Sequence, residues 1–336
     1  MRILIADSFP GTALAAIEAD GARCDYRPAT TAEELPEAVG DAEVLVVRST
    51  RVDAQTINAG HRLRSVIRAG SGTNTIDRDA AAARGVAVCN VPGRNAIAVA
   101  ELAFALLLCL DRQVPDAVAD LRAARWDKAR YGKAQGLYGR DIGIVGLGEI
   151  GLAFAERAHA FGMRLHAVAK PDRAPELAAR AQACDIHFVA DLATLAGSCD
   201  VLSFHVPCSE STRGMVGREL LAQCRDGAWI INTSRGEIVD EPALIDALDT
   251  RGMRAGVDVF DGEPTAPTGV FDSPLARHPS VYGTHHVGAS TEQAQQAVAD
   301  EVVRMIGALA EGRLLHCVNG VRDAAPEPLL DAAVRS

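Results

Sequence analysis

The chain has 336 residues, of which 48% are hydrophobic, 23% charged and only 4% aromatic. This length allows two domains with separate cores, and the composition is typical of an ordinary folded protein. The formal net charge of −10 argues against a general affinity for nucleic acid or for an anionic membrane, because both require excess Lys and Arg. A small anionic substrate remains compatible with this charge if positive groups are concentrated locally.

The cysteines and the apolar runs indicate the compartment. No two cysteines form a C-x-x-C pair, and most lie in apolar strand or helix contexts, which favours buried, reduced thiols. The eight are Cys24, Cys89, Cys109, Cys184, Cys199, Cys208, Cys224 and Cys317. The chain opens on a strand pattern instead of a leader peptide. The longest apolar run, residues 97–110, is too short to span a bilayer, so we expect a cytoplasmic protein without a membrane partner.

The first ninety or so residues alternate strand and helix signals. Short β-branched runs predict strands over residues 3–6, 44–47, 66–69 and 86–89. Helical spacing is found over residues 12–18, 32–39 and 77–84. This alternation predicts a parallel α/β layer of the flavodoxin-like type. A long amphipathic helix over residues 96–112 would then carry the chain out of this layer.

A glycine motif follows a short buried strand at residues 141–145. Gly146, Gly148 and Gly151 have the spacing G-x-G-x-x-G, and residues 150–161 then show helical periodicity. Gly146 permits a tight turn, Gly148 lets backbone N–H groups approach a pyrophosphate, and Gly151 allows the helix to pack closely on the strand. Three glycines can also form an ordinary turn, but the strand before them and the helix after them favour a dinucleotide site.

The rest of the chain continues the same alternation. Strand patterns occur at residues 165–169, 186–189, 201–205, 228–232, 255–260 and 281–284. Mostly separated by helices, they predict an open, doubly wound sheet. A last helix, residues 291–311, and the tail should return to the first layer. We therefore predict an α/β protein with two doubly wound parallel-sheet domains. A Rossmann dinucleotide-binding domain (96–287) is inserted in a flavodoxin-like substrate domain (1–95 and 288–336).

The order of the motifs resembles the D-2-hydroxyacid dehydrogenases, most closely their D-3-phosphoglycerate dehydrogenase branch. Besides the glycine motif, the resemblance rests on Arg48-Ser49-Thr50, residues 68–77, Val99-Ala100-Glu101-Leu102, His205-Val206-Pro207, Thr212-Arg213-Gly214, residues 232–236, 256–260 and 284–288, and Glu263-Pro264. It implies hydride transfer between a nicotinamide cofactor and a D-2-hydroxy acid or 2-keto acid. The chain is expected to lack the regulatory extension of longer phosphoglycerate dehydrogenases.

Three residues are expected to carry the reaction: Arg235, Glu263 and His286. Arg235 follows a strand that should end at the ligand-binding edge, where a guanidinium can hold a carboxylate in bidentate fashion. From position alone it could equally be an exposed loop arginine, but it matches the family's substrate arginine. His286 could donate a proton to the carbonyl oxygen, and the carboxylate of Glu263 would favour the charged imidazole and orient it.

The neighbouring His285 raises the possibility of a metal site. Adjacent side chains of an extended segment point to opposite faces, and no Cys or carboxylate joins the two histidines at metal-ligand spacing. We therefore expect no metal. His286 matches the family's acid, whereas His285 stands where the family more often has proline.

The resemblance also implies residues that bind the cofactor. Beyond the catalytic His286 they are Gly146, Leu147, Gly148, Glu149, Ile150, Gly151, Lys170, His205, Val206, Pro207, Thr212, Thr233, Ser234, Asp258 and Gly288. Asp258 matches the family's carboxylate at the nicotinamide carboxamide, although a strand-end Asp can simply cap a turn. Ala169 stands where NAD-preferring members carry Asp. Nearby Lys170 and Arg173 could bind a 2′-phosphate, while Asp172 could replace the missing carboxylate, so NAD is expected and NADP remains possible.

Substrate residues follow from the resemblance in the same way. Ser71 and Gly72 match the turn that holds the substrate carboxylate, with Asn74 in the same loop and Ser49 beside Arg48. Arg48 matches a phosphate-binding arginine of the phosphoglycerate branch. A phosphorylated or phosphonate-bearing 2-keto acid, such as the oxidation product of 3-phosphoglycerate, is therefore expected as the substrate. Glyoxylate or hydroxypyruvate is the alternative.

Two further expectations concern partners. Arg125, Lys128, Arg130 and Lys133 lie in a segment that in this family reaches across a dimer interface, although a basic run is usually a solvated surface. We expect a homodimer through the nucleotide-binding domain. The family also includes dinucleotide-sensing corepressors that retain the catalytic residues. The Ala-rich composition and the lack of a basic tail favour a metabolic enzyme over such a binding protein.

Overall fold

The computed structural model describes residues 1–171, 173–264 and 268–322. The chain forms two compact units. The first unit consists of Met1–Asn95 and the chain from Glu292 onward, and the second unit is Ala96–Thr291. Among the described residues, no helix is both long enough and apolar enough to cross a membrane.

Strands and helices alternate through most of the chain. The strands in the described residues are β1 (Arg2–Ile5), β2 (Arg23–Tyr26), β3 (Val44–Val47), β4 (Ser65–Arg68), β5 (Ala87–Asn90), β6 (Asp141–Val145), β7 (Arg164–Val168), β8 (His187–Val189), β9 (Val201–Phe204), β10 (Trp229–Asn232), β11 (Arg254–Val257) and β12 (Val281–Gly283).

The helices cover the faces of the sheets. They are α1 (Gly11–Ala19), α2 (Leu35–Ala38), α3 (Ala54–Ala59), α4 (Arg78–Ala83), α5 (Ala96–Arg112), α6 (Val114–Arg122), α7 (Lys128–Tyr131), α8 (Glu149–Ala160), α9 (Pro175–Ala183), α10 (Leu192–Ser198), α11 (Arg218–Gln223), α12 (Glu241–Arg251), α13 (Pro274–Arg277) and α14 (Glu292–Ala310), with a 3-10 turn at Gly236–Ile238.

Each unit contains one parallel sheet in the described residues. The sheet of the first unit has the strand order β2-β1-β3-β4-β5, and that of the second has the order β12-β11-β10-β9-β6-β7-β8. All of the pairs between these strands are parallel. The first order is flavodoxin-like, and the second is the Rossmann order with one strand added. The predicted fold class is confirmed.

Burial explains why the central strands formed where the sequence predicted them. β3, β9 and β10 are buried at every position, as expected for parallel strands covered by helices on both faces. The strand β2 is mostly exposed at the edge of its sheet. Its sequence, Arg-Cys-Asp-Tyr, carries no apolar run, and for that reason the sequence patterns do not reveal it.

Candidate active site

The glycine turn between β6 and α8 is fixed by close packing. Gly146 has a φ of 97°, and a Cβ built on it would lie 2.5 Å from the carbonyl oxygen of His205. A Cβ on Gly151 would lie 1.9 Å from the carbonyl oxygen of Gly146. Both positions therefore exclude a side chain because of backbone that is already in place.

Gly148 differs from these two glycines. A Cβ at this position would meet nothing within 4 Å, so protein packing gives no reason for glycine there. Gly148 is also the N-cap of α8 and, having no side chain, makes no cap hydrogen bond to the first turn. The neighbouring Glu149 is instead ion-paired with Arg180 at 2.7 Å. Open space in front of uncapped N–H groups suits an anion such as a dinucleotide pyrophosphate. Leu147 and Ile150 complete this turn.

His205 follows β9 and forms the floor of the glycine turn. Burial lowers the pKa of His205 to about 3, so its imidazole is neutral. The ring lies against Phe154 with 5.1 Å between ring centroids. Its Nε2 is hydrogen-bonded to the hydroxyl of Ser203 at 2.9 Å. Sequence reasoning did not single out Ser203, since it lies inside a strand with no motif of its own.

The loop after β9 contains three further predicted cofactor residues: Val206, Pro207 and Thr212. The hydroxyl of Thr212 donates to the carbonyl oxygen of Pro207 at 2.6 Å and accepts from the Ser209 N–H at 2.8 Å. These bonds close the loop on itself. Thr233, after β10, is buried, and in the described part of the chain its hydroxyl has no hydrogen-bond partner. A buried hydroxyl in this condition is available to a ligand.

The end of β7 opens on a cavity of about 430 Å³. Ala169, Lys170, Arg173 and Phe188 are among its lining residues. Arg173 donates from Nη1 to the carbonyl oxygen of Leu147 at 3.0 Å, and its guanidinium lies 5.7 Å from the ring centre of Phe188. A cation is therefore held beside the glycine turn. Asp172 lies outside the described residues.

Arg235 is positioned by a tight turn after β10. The buried side chain of Asn232 accepts from the Ser234 N–H at 3.0 Å and donates to the Arg235 carbonyl oxygen at 2.9 Å. A Cβ on Gly236 would lie 2.0 Å from the carbonyl carbon of Phe260. The loop carrying Arg235 thus presses directly against the loop that follows β11.

That second loop carries Glu263, which meets His286 from the loop after β12. The Nδ1 of His286 is hydrogen-bonded to Oε1 of Glu263, and Oε2 accepts from the Phe260 N–H at 3.2 Å. Burial acts to raise the pKa of Glu263. The bonds from His286 and Phe260, with the charges of His286 and Arg235, outweigh burial and lower it. Arg235, Glu263 and His286 therefore form one cluster in the second unit.

Asp258 holds the backbone on which His286 stands. Its buried carboxylate accepts from the hydroxyl of Thr284 at 2.6 Å and from the N–H groups of Val287 and Gly288, both at 2.9 Å. His286 has a φ of 52°, a conformation that costs energy for a residue with a side chain. Through these hydrogen bonds Asp258 caps the turn. Its predicted contact with the nicotinamide carboxamide stays a prediction.

His285 is exposed. Across the residues that the structure describes, no group of three or more His, Cys, Asp or Glu side chains could hold a metal ion.

In the first unit, Arg48 and Ser49 follow β3. The carboxylate of Asp7, after β1, accepts from the N–H groups of Arg48 at 2.6 Å, Ser49 at 3.1 Å and Thr50 at 3.1 Å. Three converging N–H groups form an anion-binding nest, and Asp7 already fills it. Anything that Arg48 and Ser49 offer an anionic ligand must therefore come from their side chains. No sequence motif pointed to Asp7.

Ser71, Gly72 and Asn74 follow the adjacent strand, β4. The hydroxyl of Ser71 donates to the Asn95 side chain at 3.0 Å, and its carbonyl oxygen accepts from the Asn90 amide at 2.6 Å. These bonds fix the loop. Gly72 is partly exposed and Asn74 is exposed.

The basic segment near α7 is largely neutralised. Arg125 pairs with Asp120 at 2.5 Å, and Arg130 pairs with Asp116 at 2.9 Å. Lys128 and Lys133 are exposed. The arginines are therefore tied to acidic residues of α6.

Comparison with known proteins identifies the family. Residues 104–288 match the model of the D-isomer specific 2-hydroxyacid dehydrogenase, NAD binding domain. The chain is 37% identical over 331 residues to D-3-phosphoglycerate dehydrogenase of Methanocaldococcus jannaschii, covering 98% of this chain and 61% of that protein. It is 40% identical over 278 residues to hydroxypyruvate reductase of Thermotoga maritima, covering 82% of this chain and 87% of the relative.

Solved structures agree with this assignment. A glyoxylate reductase from Paecilomyes thermophila superposes with a TM-score of 0.82 at 27% identity, covering 95% of this chain and 98% of that one. The chain spans only about three fifths of the phosphoglycerate dehydrogenases that it matches. The resemblance found in the sequence motifs is confirmed: the chain belongs to the D-isomer specific 2-hydroxyacid dehydrogenases, and its second unit carries their NAD-binding domain.

Proposed function

We propose that this protein is a D-2-hydroxyacid dehydrogenase that interconverts a 2-keto acid and the corresponding D-2-hydroxy acid with NAD. The observation that carries the proposal is the hydrogen bond between Glu263 and His286, with Arg235 close enough to lower the pKa of Glu263. A cation, an imidazole and a carboxylate at the carboxyl edge of a parallel sheet meet the needs of keto-acid reduction. The glycine turn of the same sheet fits a dinucleotide.

Each of the three residues has a proposed role. Arg235 binds the substrate carboxylate and polarises the adjacent carbonyl group. His286 donates a proton from its outer nitrogen, Nε2, to the carbonyl oxygen during reduction, and as neutral imidazole it accepts that proton during oxidation. Glu263 holds Nδ1, which orients the ring and stabilises the imidazolium. NAD, when bound, supplies or accepts the hydride.

The proposed cofactor contacts follow the geometry of the second unit. The N–H groups of the turn around Gly148 would hold the pyrophosphate, and the loop of Val206 and Pro207 would lie along the adenine. NADP stays a candidate beside NAD because Ala169 supplies no carboxylate. Arg173 is held next to the glycine turn, where it can meet a 2′-phosphate.

For the substrate we propose two classes, each supported by a named relative. Arg48 would bind the distal phosphate of a phosphorylated 2-keto acid, as in the phosphoglycerate dehydrogenase branch. The hydroxypyruvate reductase of Thermotoga maritima is covered over 87% of its length, which supports glyoxylate or hydroxypyruvate as the alternative. Ser49, Ser71, Gly72 and Asn74 are the proposed substrate residues of the first unit.

A spectrophotometric screen of 2-keto acids with NADH and with NADPH tests the function. We expect turnover of at least one small 2-keto acid, with a clear preference for one cofactor. Arg48→Ala decides between the substrate classes. It should raise KM for a phosphorylated substrate by about 10- to 100-fold, the equivalent of a charge-assisted hydrogen bond, and leave glyoxylate nearly unchanged. If no 2-keto acid turns over with either cofactor, the proposal fails.

We further propose a homodimer formed through the second unit. Leu121, Trp126 and Tyr138 are 58%, 81% and 87% exposed, and exposed large apolar side chains are candidates for burial in an interface. Sedimentation velocity should show a dimer for the parent chain and a monomer for Leu121→Glu. A monomeric parent would contradict the proposal.

The free thiols among the described residues also support the expected cytoplasmic location.

A further inference from the structure

Two cysteines of the first unit lie opposite each other on paired segments of chain. Cys89 belongs to β5, and Cys317 lies in the segment that pairs with β5 in antiparallel fashion. One flanking backbone bond joins the N–H after Cys89 to the carbonyl before Cys317 at 3.2 Å. The other joins the N–H after Cys317 to the carbonyl before Cys89 at 2.8 Å. The two cysteines are therefore a non-hydrogen-bonded pair of the ladder.

This type of pair suits a disulfide. Residues in a non-hydrogen-bonded antiparallel pair have Cα atoms about 4.5 Å apart and side chains on the same face. Disulfides join Cα atoms that are roughly 4.4–6.8 Å apart, so the usual spacing of such a pair lies within this range. The thiols also interact already: burial raises the pKa of Cys89 to about 12, and the neighbouring Cys317 thiol adds to that rise.

The surroundings give the two thiols different roles. Cys89 is only 2% exposed, whereas Cys317 is partly exposed, so an oxidant reaches Cys317 first. Asn319 holds the segment in place, and its side-chain oxygen also accepts from the Cys317 thiol at 3.2 Å. Its side chain accepts from the Val88 N–H at 3.0 Å and donates to the Val86 carbonyl oxygen at 2.8 Å. The pair is thus aligned while both thiols are reduced.

We propose that Cys89 and Cys317 are a reversible redox pair whose disulfide fastens the C-terminal segment to the edge strand β5. The Cys317 thiolate attacks a small disulfide and releases one thiolate. The Cys89 thiol then loses its proton, attacks Sγ of Cys317 and expels the second thiolate. Two protein thiols are oxidised to one disulfide, the small disulfide is reduced to two thiols, and these take up both protons. Because Cys89 is buried as the neutral thiol, this second step is slow and speeds up as the pH rises.

Peptide mapping of the full chain tests the proposal. The protein is equilibrated with reduced and oxidised glutathione in increasing oxidised fraction, alkylated, digested without reductant and analysed by mass spectrometry. We expect one linked peptide pair containing Cys89 and Cys317, which disappears after treatment with dithiothreitol. Glutathione retained on Cys317 without a link, or a link from Cys317 to another cysteine, would overturn the assignment.

Thermal unfolding provides the second readout. A bond that closes a long loop should raise the Tm of the oxidised parent by about 5 °C or more. Cys317→Ser should form no linked peptide, and its Tm should not respond to oxidised glutathione. Cys24→Ser is the matched control, since Cys24 is also a partly exposed thiol of the first unit, and it should behave like the parent. A linked parent whose Tm does not rise would refute the fastening role.

Discussion

At the scale of single residues, Glu263 and His286 are coupled through one hydrogen bond. The interaction with His286 helps to lower the pKa of Glu263, and by reciprocity the carboxylate stabilises the imidazolium. Glu263→Gln removes that charge and keeps the shape. Reduction needs the protonated imidazole, so its activity should be lost at a lower pH than in the parent. The oxidation profile should move in the same direction, because the neutral base becomes available at lower pH.

Steady-state pH profiles in both directions measure this shift. Glu241→Gln is the control, because Glu241 is a neighbouring carboxylate that bonds the Asp261 N–H at 3.0 Å instead of the imidazole. Its profiles should match those of the parent. Unchanged profiles in Glu263→Gln would mean that the two residues are not coupled.

The sequence indicated which residues come together at the candidate site better than it indicated what supports them. Arg235, Glu263 and His286 were selected by motif, and the structure brings these three together. The roles assigned to them remain proposals. Asn232 and Ser203 support the site through hydrogen bonds, but buried polar residues in strands follow no spacing rule. Asp7 fills the anion-binding nest at residues 48–50. This contact requires the ends of β1 and β3 to lie close together, which a sequence pattern does not show.

At the scale of elements, two glycines of the turn before α8 have different expected roles. Gly148 is expected to serve cofactor binding, and Gly151 to serve packing. Gly148→Ala places a methyl group where, among the described residues, no atom outside the turn's own adjacent backbone lies within 4 Å. The free energy of unfolding of the cofactor-free protein should therefore change by less than about 0.5 kcal/mol, while the affinity for NADH falls. Gly151→Ala instead drives a Cβ to within 1.9 Å of the Gly146 carbonyl oxygen, and it should destabilise the fold by about 1–3 kcal/mol.

Chemical denaturation and fluorescence titration with NADH distinguish the two variants. Gly148→Ala should lose affinity for NADH without losing stability. Equal loss of stability in both variants would show that Gly148 is a packing glycine as well, and that the pyrophosphate lies elsewhere.

Element types were predicted most reliably where strands are fully buried. The predicted strand at residues 255–260 is longer than β11 (Arg254–Val257), because Asp258 begins the turn that supports His286. Short helices such as α3 and α10 went unpredicted. Each is capped by an Asp side chain, Asp53 and Asp191, but too few residues follow for a periodicity to emerge.

At the scale of the whole molecule, a buried carboxylate makes stability depend on pH. Glu301 on α14 is 3% exposed. Hydrogen bonds from Arg304, then Arg94 and His316, hold the pKa of Glu301 at about 2, below its ordinary value of 4.5. Since the folded-state pKa is lowered, Glu301 contributes stability above the unfolded pKa, and this contribution is lost as the pH falls from about 5 toward 2.

Glu301→Gln should therefore lower the free energy of unfolding by up to about 3 kcal/mol near neutral pH. The loss is smaller to the extent that solvent screens the charges of the half-exposed arginines. The difference from the parent should shrink as the pH is lowered through this window. Urea unfolding at a series of pH values measures it. Glu292→Gln, at the exposed first turn of the same helix, is the control. A difference that stays constant with pH would contradict the assigned role of Glu301.

One comparison of two variants tests whether His286 is the proton donor of a keto-acid reductase. His286→Ala and its neighbour His285→Ala are measured for kcat with the best 2-keto acid and for NADH affinity. We expect a loss in kcat on the order of 10²–10⁴ for His286→Ala with cofactor affinity nearly intact, and near-parent kcat for His285→Ala. Near-full kcat in His286→Ala, or the large loss in His285→Ala instead, would contradict it.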